Sequence, residues 1–219
     1  MFSRAELKNG AKDQLRGKWL LAVLVFICYS VILQLINIDL TNSMEGSMLG
    51  ISLNIVGLLV FGSIEVGMCR FTLKLAHKDE TTQFNDLFSG FDVFIKALLM
   101  NLIISVCVVI GSMLFIIPGI IFGIMFSQAN YILAENPEQS AIECIRESIN
   151  MMKGYKFHFF VLQLSFIGWL ILASIPFGIG LLWYVPYYQM TMANFYLLVK
   201  GNYKRMNEFS YDYKDNNEL

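Results

Sequence analysis

The sequence predicts an all-α, polytopic membrane protein: six transmembrane helices in three hairpins, with short cytoplasmic amphipathic helices between them. Three observations carry this. First, 56% of the 219 residues are hydrophobic and 15% are charged, with a mean hydropathy of +0.57; a soluble domain has about 45–50% apolar and about 25% charged residues. Second, long stretches carry no charge, and two of them are twice as long as a membrane helix needs to be. Third, the sixteen Lys and Arg residues are confined to alternate connections. The composition also excludes disorder, which needs low hydrophobicity and high net charge. A net charge of -1 offers no partner surface for nucleic acid.

The chain opens on Ser3-Arg4-Ala5-Glu6, which has capping-box form and should start a helix. Leu7, Ala11, Leu15 and Trp19 then recur every four residues, with Lys8, Lys12 and Arg16 on a neighbouring stripe. An amphipathic helix with a basic flank suits anionic lipid headgroups. Arg16-Gly17-Lys18 turns it into the first span, about 19–38, which should remain as an anchor because no small-x-small cleavage site follows. The second span is about 49–70. Residues 97–134 are uncharged throughout; as one helix they would reach about 57 Å, against roughly 30 Å of hydrocarbon. They must fold back, and Pro118-Gly119 marks the expected turn between spans 97–117 and 120–134. Residues 157–199 repeat the pattern around Pro176, Gly178 and Gly180, giving spans 157–175 and 179–199.

Arg4, Lys8, Lys12, Arg16 and Lys18 precede span one; Arg70, Lys74, Lys78 and Lys96 follow span two. Arg146, Lys153 and Lys156 follow span four, and the remaining four follow span six. The other connections have none. By the positive-inside rule this places the chain in the cell membrane with both termini and the two long loops cytoplasmic. A single domain over 1–202 and a polar cytoplasmic tail over 203–219 are expected.

Ser140-Ala141-Ile142-Glu143 is a second capping box, followed by Lys153-Gly154. Ser3, Glu6, Arg16 and Gly17 map onto Ser140, Glu143, Lys153 and Gly154 at one offset of 137. Phe84, Leu87, Phe88 and Phe91 around Ser89-Gly90 make a weaker third copy that lacks the box. Three repeat units follow, over 3–75, 76–134 and 140–200, each an amphipathic helix followed by a hairpin.

Several segments resemble one family of bacterial multi-pass membrane proteins, common in Gram-positive species and catalogued as a domain of unknown function. They are Arg4-Ala5-Glu6-Leu7-Lys8, Leu15-Arg16-Gly17-Lys18-Trp19, Leu87-Phe88-Ser89-Gly90-Phe91, Phe115 to Ile121 around Pro118-Gly119, Tyr131 to Pro137, Ser148 with Met152-Lys153-Gly154, Gly178 to Trp183, and Val185-Pro186-Tyr187. The family is similar to the membrane portion attached to some glycerophosphodiester phosphodiesterases. The resemblance implies membership and brings no catalytic residues; no length remains for a phosphodiesterase barrel of about 250 residues.

For chemistry, Glu65 stands out as the charged side chain inside a long apolar run, a functional candidate by default. Asn54, Asn101, Gln128, Gln163 and Asn194 are the accompanying intramembrane amides, with Asn130 and Gln189 beside them; hydrogen bonding between helices is the simpler role for all of them. Glycines 57, 62, 67, 111, 119 and 123 read as close helix contacts. Trp169, Trp183, Tyr184, Tyr187 and Tyr188 fit interfacial belts. The scattered Cys28, Cys69, Cys107 and Cys144 suggest packing rather than disulfides. His77 and His158 lack metal-ligand spacing, so no metal, cofactor or catalytic residue is expected. The leading expectation is a non-enzymatic module that organises lipid or serves a membrane-protein partner such as an exporter or envelope-stress system. The alternatives are a small transporter or channel, and an intramembrane lipid-modifying enzyme that would need Glu65, His77 and His158 to meet.

Overall fold

A computed structural model describes residues 4–38, 48–174 and 180–215, with side chains for these except 35–38, 48–56, 58–59 and 207–215. All regular structure among them is helical: α1 (Arg4–Leu15), α2 (Trp19–Ile38), α3 (Met48–Ala76), a 3-10 helix (Phe84–Val93), α4 (Phe94–Leu114), α5 (Ile116–Phe126), α6 (Ala129–Glu135), α7 (Ala141–Met151), α8 (Lys156–Ser174) and α9 (Leu181–Asp215). Among the described residues, Phe84–Leu114, Ile116–Glu135 and Lys156–Ser174 are long and apolar enough to cross a membrane. A fourth candidate arises if α1 and Trp19–Gln34, bent by 102°, count as one broken span.

The bend after α1 falls at Gly17, with φ +79°, and the bend between α7 and α8 at Gly154, with φ +82°. Side chains rarely adopt this conformation. These are the two glycines that the offset of 137 aligns. Ser3, partner of Glu6 in the first capping box, lies outside the described residues. The second box forms: Glu143 accepts from the Ser140 N–H at 2.8 Å and its own N–H donates to the Ser140 hydroxyl at 3.3 Å. The Ser140 N–H also holds the Glu143 carboxyl below its ordinary range. The middle unit does not lack a cap. Asp86 accepts from the Gln83 N–H at 2.8 Å, so Gln-x-x-Asp does there what Ser-x-x-Glu does elsewhere.

The α3 helix seats directly on the 3-10 helix. A Cβ at Gly67 would land on the Leu87 carbonyl oxygen, and one at Gly90 on that of Ser63. Arg70 clamps the contact, donating to Ser89 O at 2.6 Å, to Asp92 at 2.8 Å and to Ala134 O at 3.1 Å. Lys74 pairs with Asp86 at 2.6 Å. Gly62 faces Ala97 of α4 in the same way, whereas Gly123 faces open space.

The first uncharged run turns at Phe115, one extended residue (φ -160°, ψ 151°), and not at Pro118-Gly119. Pro118 lies in the first turn of α5, where its missing N–H has no helical acceptor to forfeit. Gly119 packs on Ser112, and Gly111 on Phe122, so the two arms meet at once and need no longer loop. The tip is apolar and open, with Met113 83% and Phe115 75% exposed. The short fourth segment expected at 120–134 is instead α5 and α6 together, broken at Ser127–Gln128. Pro176 and Gly178 lie outside the described residues. Gly180 packs against the Ala173 carbonyl. α9 then runs to Asp215, through residues expected to form a tail.

α1 is docked onto the protein. Leu7, Ala11 and Leu15 are buried. Asn194 of α9 donates to Leu7 O at 3.3 Å and to the Gln14 side-chain oxygen at 2.8 Å. Gln14 reaches Ala76 O at 3.0 Å, and Lys18 reaches Asp79 O at 2.7 Å. Lys8 donates to Ser165 at 2.9 Å and sits 4.3 Å from the Phe166 ring centre.

Alanine at Gly67 or Gly90 should therefore lower thermal stability in detergent, by about 1–3 kcal/mol as overpacking does. Gly123→Ala, with open space around it, should match the wild type or exceed it by up to about 1 kcal/mol. Equal effects at all three positions would contradict the backbone contact.

Candidate functional site

A cavity of about 180 Å³ opens between α3, the α5–α6 break, α8 and α9. Glu65, Gln128, Gln163 and Gln189 each reach it from a different one of these elements, with Asn130, Tyr131 and Tyr188 between them. Five of the polar residues singled out in the sequence thus meet in one place.

Each wall has a mechanical cause. Tyr29 of α2 donates its hydroxyl to Glu65 Oε1 and orients the carboxylate. None of the ion pairs among the described residues involves Glu65. Arg70, its nearest cation in sequence, is spent on the 3-10 helix and α6. Gln163 accepts from the Tyr188 hydroxyl at 2.8 Å, while its amide has only the Met192 sulfur at 3.8 Å. At the α5–α6 break, the Gln128 N–H donates to the Ser148 hydroxyl at 3.2 Å, and that hydroxyl donates to Met125 O at 2.7 Å. One buried serine from α7 so serves both sides of the interruption, which a membrane interior demands of any non-helical backbone. The Gln128 side chain is 1% exposed, and its amide donates to Ser127 at 2.7 Å. Its Oε1 is buried with no partner. The polar groups that line the cavity are mixed, the Glu65 carboxyl beside the side-chain amides of Asn130, Gln163 and Gln189, chemistry suited to a small solute that both donates and accepts hydrogen bonds.

The other candidates fall elsewhere. Asn101 adjoins the cavity through Asn130, at 3.3 Å, and also donates to Ala97 O at 2.9 Å. Asn194 fastens α1 to α9. Asn54 is in α3, and its side chain lies outside the described residues. Lys12, Arg16 and Lys153 are exposed. His77 and His158 are absent from the cavity wall, and no group of three potential metal ligands occurs among the described residues. Burial pushes the Cys144 thiol up to about 11, as befits a packing residue.

Sequence reasoning missed Tyr29, Tyr188 and Ser148 as participants. It also missed a second cluster, where Glu135 of α6 accepts from Tyr196 at 2.6 Å and pairs with Lys200, beneath stacked Tyr131 and Tyr196 rings 5.1 Å apart. The sequence does carry a signal here: Ala129-Asn130-Tyr131 resembles Ala193-Asn194-Phe195, and the two stacked rings belong to or adjoin these segments.

A family described as "Protein of unknown function (DUF975)" matches residues 1–122 and 113–203. No curated protein and no solved structure matches the chain.

Ser148→Ala should orphan the Gln128 N–H and the Met125 carbonyl and cost about 1–3 kcal/mol in thermal unfolding. Ser174→Ala, at an exposed position, should stay within about 0.5 kcal/mol. A neutral Ser148→Ala would remove the serine from its role at the break.

Proposed function

The chain belongs to the DUF975 family of proteins of unknown function, and from that premise we propose that it is a six-span membrane protein that binds and passes a small polar solute. The observation that carries this reading is the convergence on one cavity of Glu65 and three glutamines from separate elements. A broken helix at such a cavity, here Ser127–Gln128, is how many transporters expose polar groups within the bilayer.

The reading of a partner-serving or lipid-organising module rests on free amphipathic faces. Here α1 buries Leu7, Ala11 and Leu15, and α7 buries Cys144, Ile145, Ser148 and Met151, within the chain itself. An intramembrane enzyme would need acids and bases to meet, and neither histidine reaches the Glu65 cavity. The charge distribution supports six segments with both termini on the basic, cytoplasmic side; against the last two stands the cavity that Lys12 and Arg16 line together with the facing ends of α8 and α9, which puts that hairpin tip beside α1.

Reconstituted vesicles should show flux of a small amide- or amine-bearing solute. Glu65→Gln should reduce it roughly tenfold or more, the loss expected for a hydrogen bond to a charged group. Absence of flux over a broad panel, or full flux in Glu65→Gln, would sink the proposal. In a cysteine-free background, Phe115→Cys should label from outside the cell, and Lys78→Cys and Lys153→Cys from within; Ser174→Cys tests the α8–α9 hairpin, whose ends lie against Lys12 and Arg16 at the end of the basic α1. Labelling of Ser174→Cys from the cytoplasm would make α8–α9 a re-entrant hairpin and end the six-span arrangement.

A further inference from the structure

A second cavity, of about 530 Å³, lies apart from Glu65, between the end of α1 and the facing ends of α8 and α9. All three tryptophans of the chain, Trp19, Trp169 and Trp183, line it. Leu172 and Ala173 extend the apolar wall, and Tyr184 and Tyr187 close its side. Among the described residues, only Lys12 and Arg16 bring charge to it, and both charges are positive.

These cations are available. Arg16 has an ion pair with Asp13 at 3.7 Å, with 82% and 62% of the two side chains exposed. Such a surface pair is weak and leaves the guanidinium open to a better anion. Lys12 lies 5.6 Å from the Tyr187 ring centre, and no carboxylate pairs with it among the described residues. The rings are available too: Trp169 is 54% and Trp183 55% exposed. Trp and Tyr collect at the level of lipid headgroups, and Lys and Arg nearby favour anionic lipids. The volume is in the range of small-molecule sites, and the contents are asymmetric: two cations at one end, indole and alkyl surface over the rest.

We propose that this cavity, where Lys12 and Arg16 meet three tryptophans, holds an anionic phospholipid. The phosphate lies on the two cations, and one acyl chain lies along Trp169, Leu172 and Trp183. The guanidinium and ammonium groups donate charge-assisted hydrogen bonds to phosphate oxygens. The chain segment exchanges exposed indole for buried indole. The site is independent of the solute reading and stands or falls apart from it.

Because every tryptophan lines the cavity, intrinsic fluorescence reports on it without a label. The full chain is reconstituted in phosphatidylcholine vesicles containing a minor fraction of lipid with brominated acyl chains, carried on either phosphatidylglycerol or phosphatidylcholine. The brominated phosphatidylglycerol should quench more strongly at equal mole fraction. Lys12→Gln with Arg16→Gln should weaken that preference roughly tenfold or more, and Lys12→Arg should retain it. Ala173→Leu, which fills the cavity and leaves the charges in place, should reduce quenching by both lipids and serves if the double variant does not fold. Equal quenching by the two lipids in the wild type overturns the proposal, as does a preference that survives the double substitution. Full competition by glycerol phosphate in solution also overturns it, since the site would then need no chain. Flux measured on Lys12→Gln/Arg16→Gln stays at the wild-type level if the two sites are separate.

Discussion

The guanidinium of Arg70 decides much of this structure. It reaches the Ser89 carbonyl, the Asp92 carboxylate and the Ala134 carbonyl, and so fastens α3 at once to the 3-10 helix and to α6. Charge-assisted bonds of this kind are shorter and stronger than neutral ones, and a planar fork suits several acceptors at fixed angles. The glycine contacts beneath it require the same closeness, because the 3-10 helix sits where any side chain on Gly67 would be. One consequence is electrostatic. With Arg70 committed to the 3-10 helix and α6, no ion pair among the described residues reaches Glu65, and the Tyr29 hydroxyl is the donor that holds its carboxyl. Holding the helices together and leaving the carboxylate open are two results of one arginine's placement.

Much of the architecture was legible in the residues. Uncharged runs located the helices because charge is costly in hydrocarbon, and Gly17 and Gly154 were identifiable as bends because each follows an amphipathic stripe that must end. The turn at Phe115 was not legible. Pro118-Gly119 carries the usual turn chemistry, but Gly111, Ser112 and Gly119 let the arms pack so closely that one extended residue suffices. The cap of the 3-10 helix was missed because Gln83-x-x-Asp86 reverses the usual residue types while preserving the geometry. The placement of α1 was missed for a different reason. Its basic stripe suits lipid headgroups, but Lys8 is taken by Ser165 and the Phe166 ring, which only the packing of α8 reveals, while Lys12 and Arg16 stay exposed.

The candidate site was half visible. Glu65, Gln128 and Gln163 were each conspicuous as polar residues in apolar runs, but their meeting depends on where α3, the α5–α6 break and α8 cross. Sequence spacing within one helix says nothing about crossings between three. Ser148 was harder still. A serine on the apolar stripe of an amphipathic helix looks like a neutral substitution until the opposing backbone is known to be broken. Buried in place, it completes the two bonds that the interruption opens, and the break can then present Gln128 to the cavity. Asn101 and Asn194, which look just as promising in sequence, join helix to helix and leave the cavity to others.

α9 connects the two cavities. Tyr187 lines the aromatic one, and its immediate neighbours Tyr188 and Gln189 line the polar one. Successive residues on a helix are about 100° apart, so one turn presents opposite sides to the two spaces. Pro186 lies inside the helix just before this turn. It removes the bond its N–H would give to the Leu182 carbonyl and loosens the first turns of α9 from the rest. The beginning of α9 carries Trp183 and Tyr184, and Tyr184 ties it to α8 through the Phe166 carbonyl and ring. Beyond Pro186, the helix is pinned by Asn194 to α1 and by Tyr196 and Lys200 to Glu135. A ligand that orders the aromatic end acts on the same turn that supplies Tyr188 and Gln189. α8 also lines both cavities, so coupling between them has two routes, and by linkage it would run equally in both directions.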